Sequence, residues 1–96
     1  MRKYGRRDNN HADIIATFIA CGCSVLDTAN IGNGAPDAVI AIDKATTFAI
    51  EIKDGTKPPS VRKLRPAQIK FKENWKGAYH VVESVDDVIA LLREYA

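Results

Sequence analysis

Nowhere in this sequence do apolar residues run for the eighteen or so positions that a membrane helix requires. No membrane association is therefore expected. Arg2, Lys3, Arg6 and Arg7 are not followed directly by an apolar stretch, so the N-terminus does not read as a secretory signal, and a cytoplasmic protein is expected. Cysteine is scarce. Cys21 and Cys23 stand two positions apart, a spacing awkward for a mutual disulfide and lacking the second ligand pair of a zinc site, so they read as reduced packing residues. Length is also limited: 96 residues make one domain, 1–96, with one core and no separate binding module. A partner subunit would help a core of that size. Internal repeats and low-complexity segments are absent.

What is present is an ordinary balance for a globular chain, 46% hydrophobic and 27% charged, so composition alone selects no special class. A net charge of +2 says little about partners, but its distribution says more. Between positions 57 and 76 lie Lys57, Arg62, Lys63, Arg65, Lys70, Lys72 and Lys76 against the single acid Glu73. Positions 77–96 reverse the balance, with Glu83, Asp86, Asp87 and Glu94 against Arg93. Such a split gives the folded domain a positive side suited to a polyanion, unless it is only a solvated surface.

Residues 1–10 are polar and basic and read as an N-terminal arm. Residues 12–21 read as a helix, because Ile14, Ile15, Phe18 and Ile19 fall on one face at about 100° per residue, and Gly22 stands where a cap would. A strand over 24–29 and a turn-rich loop over 30–36 follow. Strands over 37–42 and 47–53, joined by a short turn around Asp43, Lys44 and Ala45, make a β-hairpin. Residues 54–65 read as an exposed loop. It enters a helix with Pro66 in the first turn and Leu64, Ala67, Phe71 and Trp75 along one face. A strand over 79–82 and a helix over 86–95 complete an α/β domain of order α-β-β-β-α-β-α.

Strand residues alternate faces, so Phe48, Ile50 and Ile52 point one way and Ala49, Glu51 and Lys53 the other. Reflecting the hairpin through its turn pairs Ile42 with Thr46, Ile40 with Phe48 and Asp37 with Glu51. One face is then apolar, while Asp37, Glu51 and Lys53 cluster at the open end. Two opposed carboxylates repel, so a positive group must lie between them. Lys53 supplies part of that charge. A divalent cation held by Asp37 and Glu51 would supply more, and magnesium suits one or two carboxylates that leave room for water and phosphate oxygens. That is a phosphodiesterase site in outline; the bland alternative is a salt bridge at a strand end.

Pro36-Asp37, followed after thirteen residues by Glu51-Ile52-Lys53, resembles the PD-(D/E)XK nuclease superfamily. Closer still is the resemblance to stand-alone phage and bacterial members of the virus-type replication-repair nuclease (VRR-NUC) family, related to Holliday-junction resolvases. It spans nearly the whole chain: Asp8-Asn9-Asn10, Gly32-Asn33-Gly34-Ala35-Pro36-Asp37, Glu51-Ile52-Lys53-Asp54-Gly55, Pro59-Ser60, Leu64-Arg65-Pro66-Ala67-Gln68 and Trp75-Lys76-Gly77. The resemblance implies a mixed sheet flanked by helices, the restriction-endonuclease-like core. It implies metal binding by Asp37, Glu51 and the backbone carbonyl of Ile52, with Lys53 as the catalytic lysine and Gln68 beside the site. On a helical wheel Gln68 lies about 60° from Phe71, at the edge of the apolar stripe.

Asp13 matches a glutamate that completes the metal site in relatives. The wheel places it nearly opposite the apolar centre of its helix, so a metal ligand and a solvent-facing first-turn acid both remain readings. Arg65 stands where relatives often carry a threonine. His11 is expected in the core, with assistance to a general base as the alternative, and His80 is expected to be structural.

The resemblance implies a magnesium-dependent endonuclease, with manganese able to substitute, that acts on branched DNA. Holliday junctions are the leading substrate. Paired cuts imply a two-fold homodimer. A phage-encoded chain would work in the bacterial host cytoplasm. Arg62, Lys63, Arg65, Lys70 and Lys72 are expected to hold phosphates. The rivals are a flap or nicking nuclease of the same fold, a restriction-type enzyme, and a DNA-binding module with weak catalysis or none.

Overall fold

The computed structural model describes residues 9–96. Most of the basic arm, and Asp8, lie outside the described residues. The chain folds as α1 (His11–Ala20), β1 (Ser24–Asp27), β2 (Ala38–Asp43), β3 (Thr46–Ile52), α2 (Pro59–Arg62), α3 (Pro66–Asn74), β4 (Ala78–Val82) and α4 (Val85–Glu94). The order matches expectation with one addition. The short helix α2 forms inside the segment expected to be loop, with Pro59 at its first position, where a missing amide costs nothing.

The four strands form one mixed sheet in the order β1-β2-β3-β4. β1 and β2, and β2 and β3, pair antiparallel; β3 and β4 pair parallel, which requires the crossover that α2 and α3 occupy. In the hairpin Ile40 faces Phe48 as expected, but Asp43 rather than Ile42 faces Thr46. The register shifts between Ala41 and Asp43, so Ile42 is the extra residue of a bulge. The Asp43 carboxylate closes the turn by accepting from the Ala45 amide at 2.9 Å.

The apolar core occupies one face of the sheet. Ile14 and Phe18 of α1 and Val88 and Leu91 of α4 pack with Ile40, Phe48, Ile50, Ile52 and Val82. Each such side chain contributes about 1.5–3 kcal/mol relative to exposure. Ile19, expected on the same face as Phe18, is instead 57% exposed, one residue before the helix ends at Ala20. The reversal uses Gly22 at φ 92°, where the Gly22 amide returns to the Ile19 carbonyl and the Cys23 amide to that of Phe18. Cys21 is exposed, Cys23 is buried, and both are free thiols.

β3 lies between β2 and β4, and its second face is buried as well: Ala49, Glu51 and Lys53 are as inaccessible as the apolar set. The helix on that side, α3, has no buried residue. Leu64 and Phe71 are half-buried while Ala67 and Trp75 stay exposed, so the stripe expected to seal that helix onto the core seals it only in part. The space left open is a cleft. Among the described residues no helix is long and apolar enough to cross a membrane.

Candidate active site

Asp37 immediately precedes β2 and extends its ladder. Its amide donates to the Ile50 carbonyl at 2.9 Å, and its carboxylate Oδ2 accepts from the Ile52 amide at 2.7 Å. The side chain thus takes the place of a backbone acceptor and fixes the carboxylate at the end of the hairpin. With Ala38 paired to Ile50, the same register sets Asp37 against Glu51, as the sequence predicted.

Glu51 and Lys53 project from the same face of β3 and its continuation, 4% and 6% exposed. Buried charges persist only when paired or hydrogen-bonded. Lys53 Nζ lies 3.9 Å from Glu51 Oε2, and Gln68 of α3 joins the two. Its amide nitrogen donates to Glu51 Oε2 at 2.8 Å, and its amide oxygen accepts from Lys53 Nζ at 2.9 Å. The same oxygen accepts from the Arg65 amide at 2.8 Å, which satisfies the start of α3. One glutamine therefore begins a helix and bridges two buried charges.

Asp37, Glu51, Lys53 and Gln68 line a single open cleft of about 870 Å³. Its walls are the 32–35 loop, α2 and the start of α3. The loop is tied down by Thr28, whose hydroxyl donates to the Pro36 carbonyl at 2.6 Å and whose amide donates to the Asp37 carbonyl at 2.9 Å. Gly34, at φ 81°, passes so close to α3 that a Cβ would overlap the Ala67 carbonyl. Asn10 secures the other side, donating from Nδ2 to the carbonyls of Lys53 at 3.1 Å and Glu83 at 3.0 Å. Asp54, also lining the cleft, accepts from the Thr56 hydroxyl at 2.7 Å and amide at 2.9 Å. Those bonds hold its carboxyl below the usual range.

Tyr79 was not singled out by sequence. Its phenol is held protonated far above the usual range by burial, then by the negative charges of Glu51 and Asp37. The parallel register explains this, because Tyr79 pairs with Ala49 and so shares the face of Glu51. Only the β3–β4 pairing could have revealed it. Asn10 and Lys57, which also border the site, carried no role in the sequence reading beyond a motif position and a count of charges.

Of the expected phosphate-binding residues, Arg62 and Arg65 line the cleft, joined by Lys57. Arg62 is held at its post by Glu83, 2.8 Å away, and by the Lys57 carbonyl at 2.9 Å. Lys63, Lys70 and Lys72 are exposed and do not line the cleft, and Lys72 Nζ lies 5.9 Å from the Tyr79 ring centroid. His11 is buried, with Nε2 3.2 Å from Asp27 Oδ2. His80 shares a 2.8 Å hydrogen bond with the Tyr95 hydroxyl and packs edge-on against Phe48, a structural role.

The donor set fits a hard divalent cation of modest protein coordination. Asp37 and Glu51 offer carboxylate oxygens side by side in a cleft that water reaches. Among the described residues no group of three or more His, Cys, Asp or Glu side chains is placed to hold a metal. Asp13 stands exposed on α1 and does not line the cleft; as its wheel position allowed, it is a solvent-facing acid in the first turn.

Against known proteins, no family model matches this sequence and no curated protein does. The fold does match: a solved VRR_NUC domain superposes with a TM-score of 0.69 at 22% identity, over 93% of this chain and 100% of that one. The chain therefore has the α/β fold of a VRR_NUC domain, a four-stranded mixed sheet flanked by helices.

Proposed function

We propose that this chain is a magnesium-dependent endonuclease of the virus-type replication-repair family, cutting the phosphodiester backbone of branched DNA. The observation that carries the proposal is the convergence of Asp37, Glu51, Lys53 and Gln68 in one cleft bordered by Lys57, Arg62 and Arg65. Acids that bind a metal, an ammonium and a cationic rim are the parts that phosphodiester hydrolysis needs in one place. The likeness in fold to a VRR_NUC domain supports the same reading.

Asp37, Glu51 and the Ile52 carbonyl would hold the cation. When bound, it polarises the phosphoryl group and lowers the pKa of a coordinated water. Lys53 faces the same space, where its ammonium orients the attacking water or stabilises charge as it develops on the phosphate. Gln68 fixes both Lys53 and Glu51 before substrate arrives, so the geometry needs no rearrangement at the moment of reaction. Arg62, Arg65 and Lys57 hold the flanking phosphates, with Lys63, Lys70 and Lys72 extending that contact. This gives affinity that weakens steeply with salt.

Branched DNA, with the four-way junction first, is the substrate we favour. The domain measures 34 × 28 × 27 Å, about ten base pairs at 3.4 Å per step. One copy covers about a turn of duplex, and two symmetric cuts call for a two-fold dimer.

The test is cleavage of a labelled four-way junction beside a duplex of matching sequence, with magnesium, with manganese and with chelator, and with Asp37→Asn as control. Paired, metal-dependent cuts confined to the junction and lost in Asp37→Asn support a resolvase. Equal cutting of both substrates leaves a nuclease without junction preference. Binding without cleavage under either metal would replace the enzyme with a DNA-binding module.

A further inference from the structure

Trp75-Lys76-Gly77 is a sequence motif that does not line the catalytic cleft. Trp75 follows α3 directly and is 40% exposed, yet its ring is held on three sides. Nε1 donates to the Ala78 carbonyl at 3.0 Å, the ring stacks on Phe71 with centroids 5.5 Å apart and planes 21° from parallel, and its edge lies over Gly77. A Cβ on Gly77 would sit 3.0 Å from Nε1, so the glycine makes room for the indole. A large aromatic group is thus fixed in one orientation and left in water, on a helix that contributes nothing fully buried to the core.

The indole borders a groove of about 270 Å³ shared with Asn33, Ala67, Lys70, Phe71 and Asn74. Two of these, Asn33 and Ala67, also line the catalytic cleft, so the groove continues it. Its chemistry suits a nucleotide: aromatic surface for a base, Lys70 for a phosphate and the Asn74 amide for a base edge. Along α3, Phe71 and Asn74 lie three and six residues beyond Gln68, about 5 and 9 Å at 1.5 Å per residue. At about 3.4 Å per nucleotide that is one to three steps.

We propose that the Trp75–Phe71 shelf receives an unstacked DNA base one to three nucleotides from the cleaved phosphate. Inside a duplex both faces of a base are already stacked; a base at a branch, flap or frayed end has a face to offer. The shelf therefore selects DNA with an unstacked base beside the cut, as a flap, a frayed end or an opened branch point provides. This deepens the nuclease reading and rests on it.

Trp75 is the only tryptophan in the chain, so its emission reports the shelf directly. The full protein, in chelator to prevent cutting, is titrated with a single-stranded oligonucleotide, the same strand made abasic, and a duplex with hairpin-closed ends. Binding is read separately by anisotropy of a labelled strand. The single strand should quench the emission, while the abasic strand and closed duplex bind with little quenching. Trp75→Leu should weaken single-strand binding about tenfold, within the range for loss of one base–aromatic stack, and leave the closed duplex unchanged. Trp75→Phe should lose less. Binding without quenching, or an equal loss on both substrates in Trp75→Leu and Trp75→Phe, overturns the shelf while leaving the nuclease in place. Absence of DNA binding by anisotropy overturns both.

Discussion

Gln68 Nε2 donates to Glu51 Oε2 across 2.8 Å, linking a helix to a strand seventeen residues away in sequence. The same amide accepts from Lys53 Nζ at 2.9 Å, so neither buried charge is oriented independently of α3. Gln68→Ala should lower kcat/KM for cleavage about 10- to 100-fold, the usual cost of removing a partner that orients a metal-binding carboxylate. The magnesium requirement should rise with it. Cleavage rates across a magnesium titration check this. An unchanged metal dependence would confine Gln68 to starting the helix.

Gly34 carries a different load. At φ 81° it lets the 32–35 loop lie against the Ala67 carbonyl, closing one wall of the cleft. Gly34→Ala introduces both a left-handed strain and an overlap with backbone, and should cost about 1–3 kcal/mol. Denaturant unfolding measures it. A loss under about 0.5 kcal/mol would mean the loop moves aside freely.

Asp13 is exposed on α1, away from the cleft. Asp13→Asn should leave cleavage within about twofold of wild type, as surface substitutions do. A loss comparable to that of Asp37→Asn would return Asp13 to the metal site.

His80 provides a pH signature independent of catalysis. Burial lowers its pKa below the ordinary 6.5, with Glu94 opposing the shift. The folded state therefore binds its proton less readily than the unfolded chain. Stability from this group is complete above pH 6.5 and declines as pH falls from there towards the lowered value. Unfolding midpoints across that window should decline in wild type and decline less in His80→Phe. Equal slopes would assign the acid sensitivity in that window to other groups; Asp54, whose carboxyl is lowered from 3.8, acts only at lower pH.

Much of the fold was legible because periodicity is a local property. Ile14 and Phe18 announced α1, the alternation of Phe48, Ile50 and Ile52 announced β3, and the reflected hairpin set Asp37 opposite Glu51. Ile19 and Trp75 were misplaced for one reason: a helical wheel shows which residues share a face but not how far the opposing surface extends. The bulge at Ile42 and the short helix at Pro59–Arg62 were missed because each is a small adjustment made to satisfy a turn or a crossover.

By itself the sequence determined the alternation that puts an acid and a lysine on one face of a strand, and the turn chemistry that brings a second acid across from them. Hydrophobic period and backbone stereochemistry act over a few residues, so one chain read alone contains them. Tertiary structure decided the rest. Pairing β4 parallel to β3 brought Tyr79 to the acids, and the crossover delivered Gln68 between Glu51 and Lys53. The same packing left α3 standing open, with Trp75 at its end, and left Asp13 exposed on α1 and outside the cleft lining. Those outcomes depend on which surfaces meet, and burial of the whole chain settles that at once.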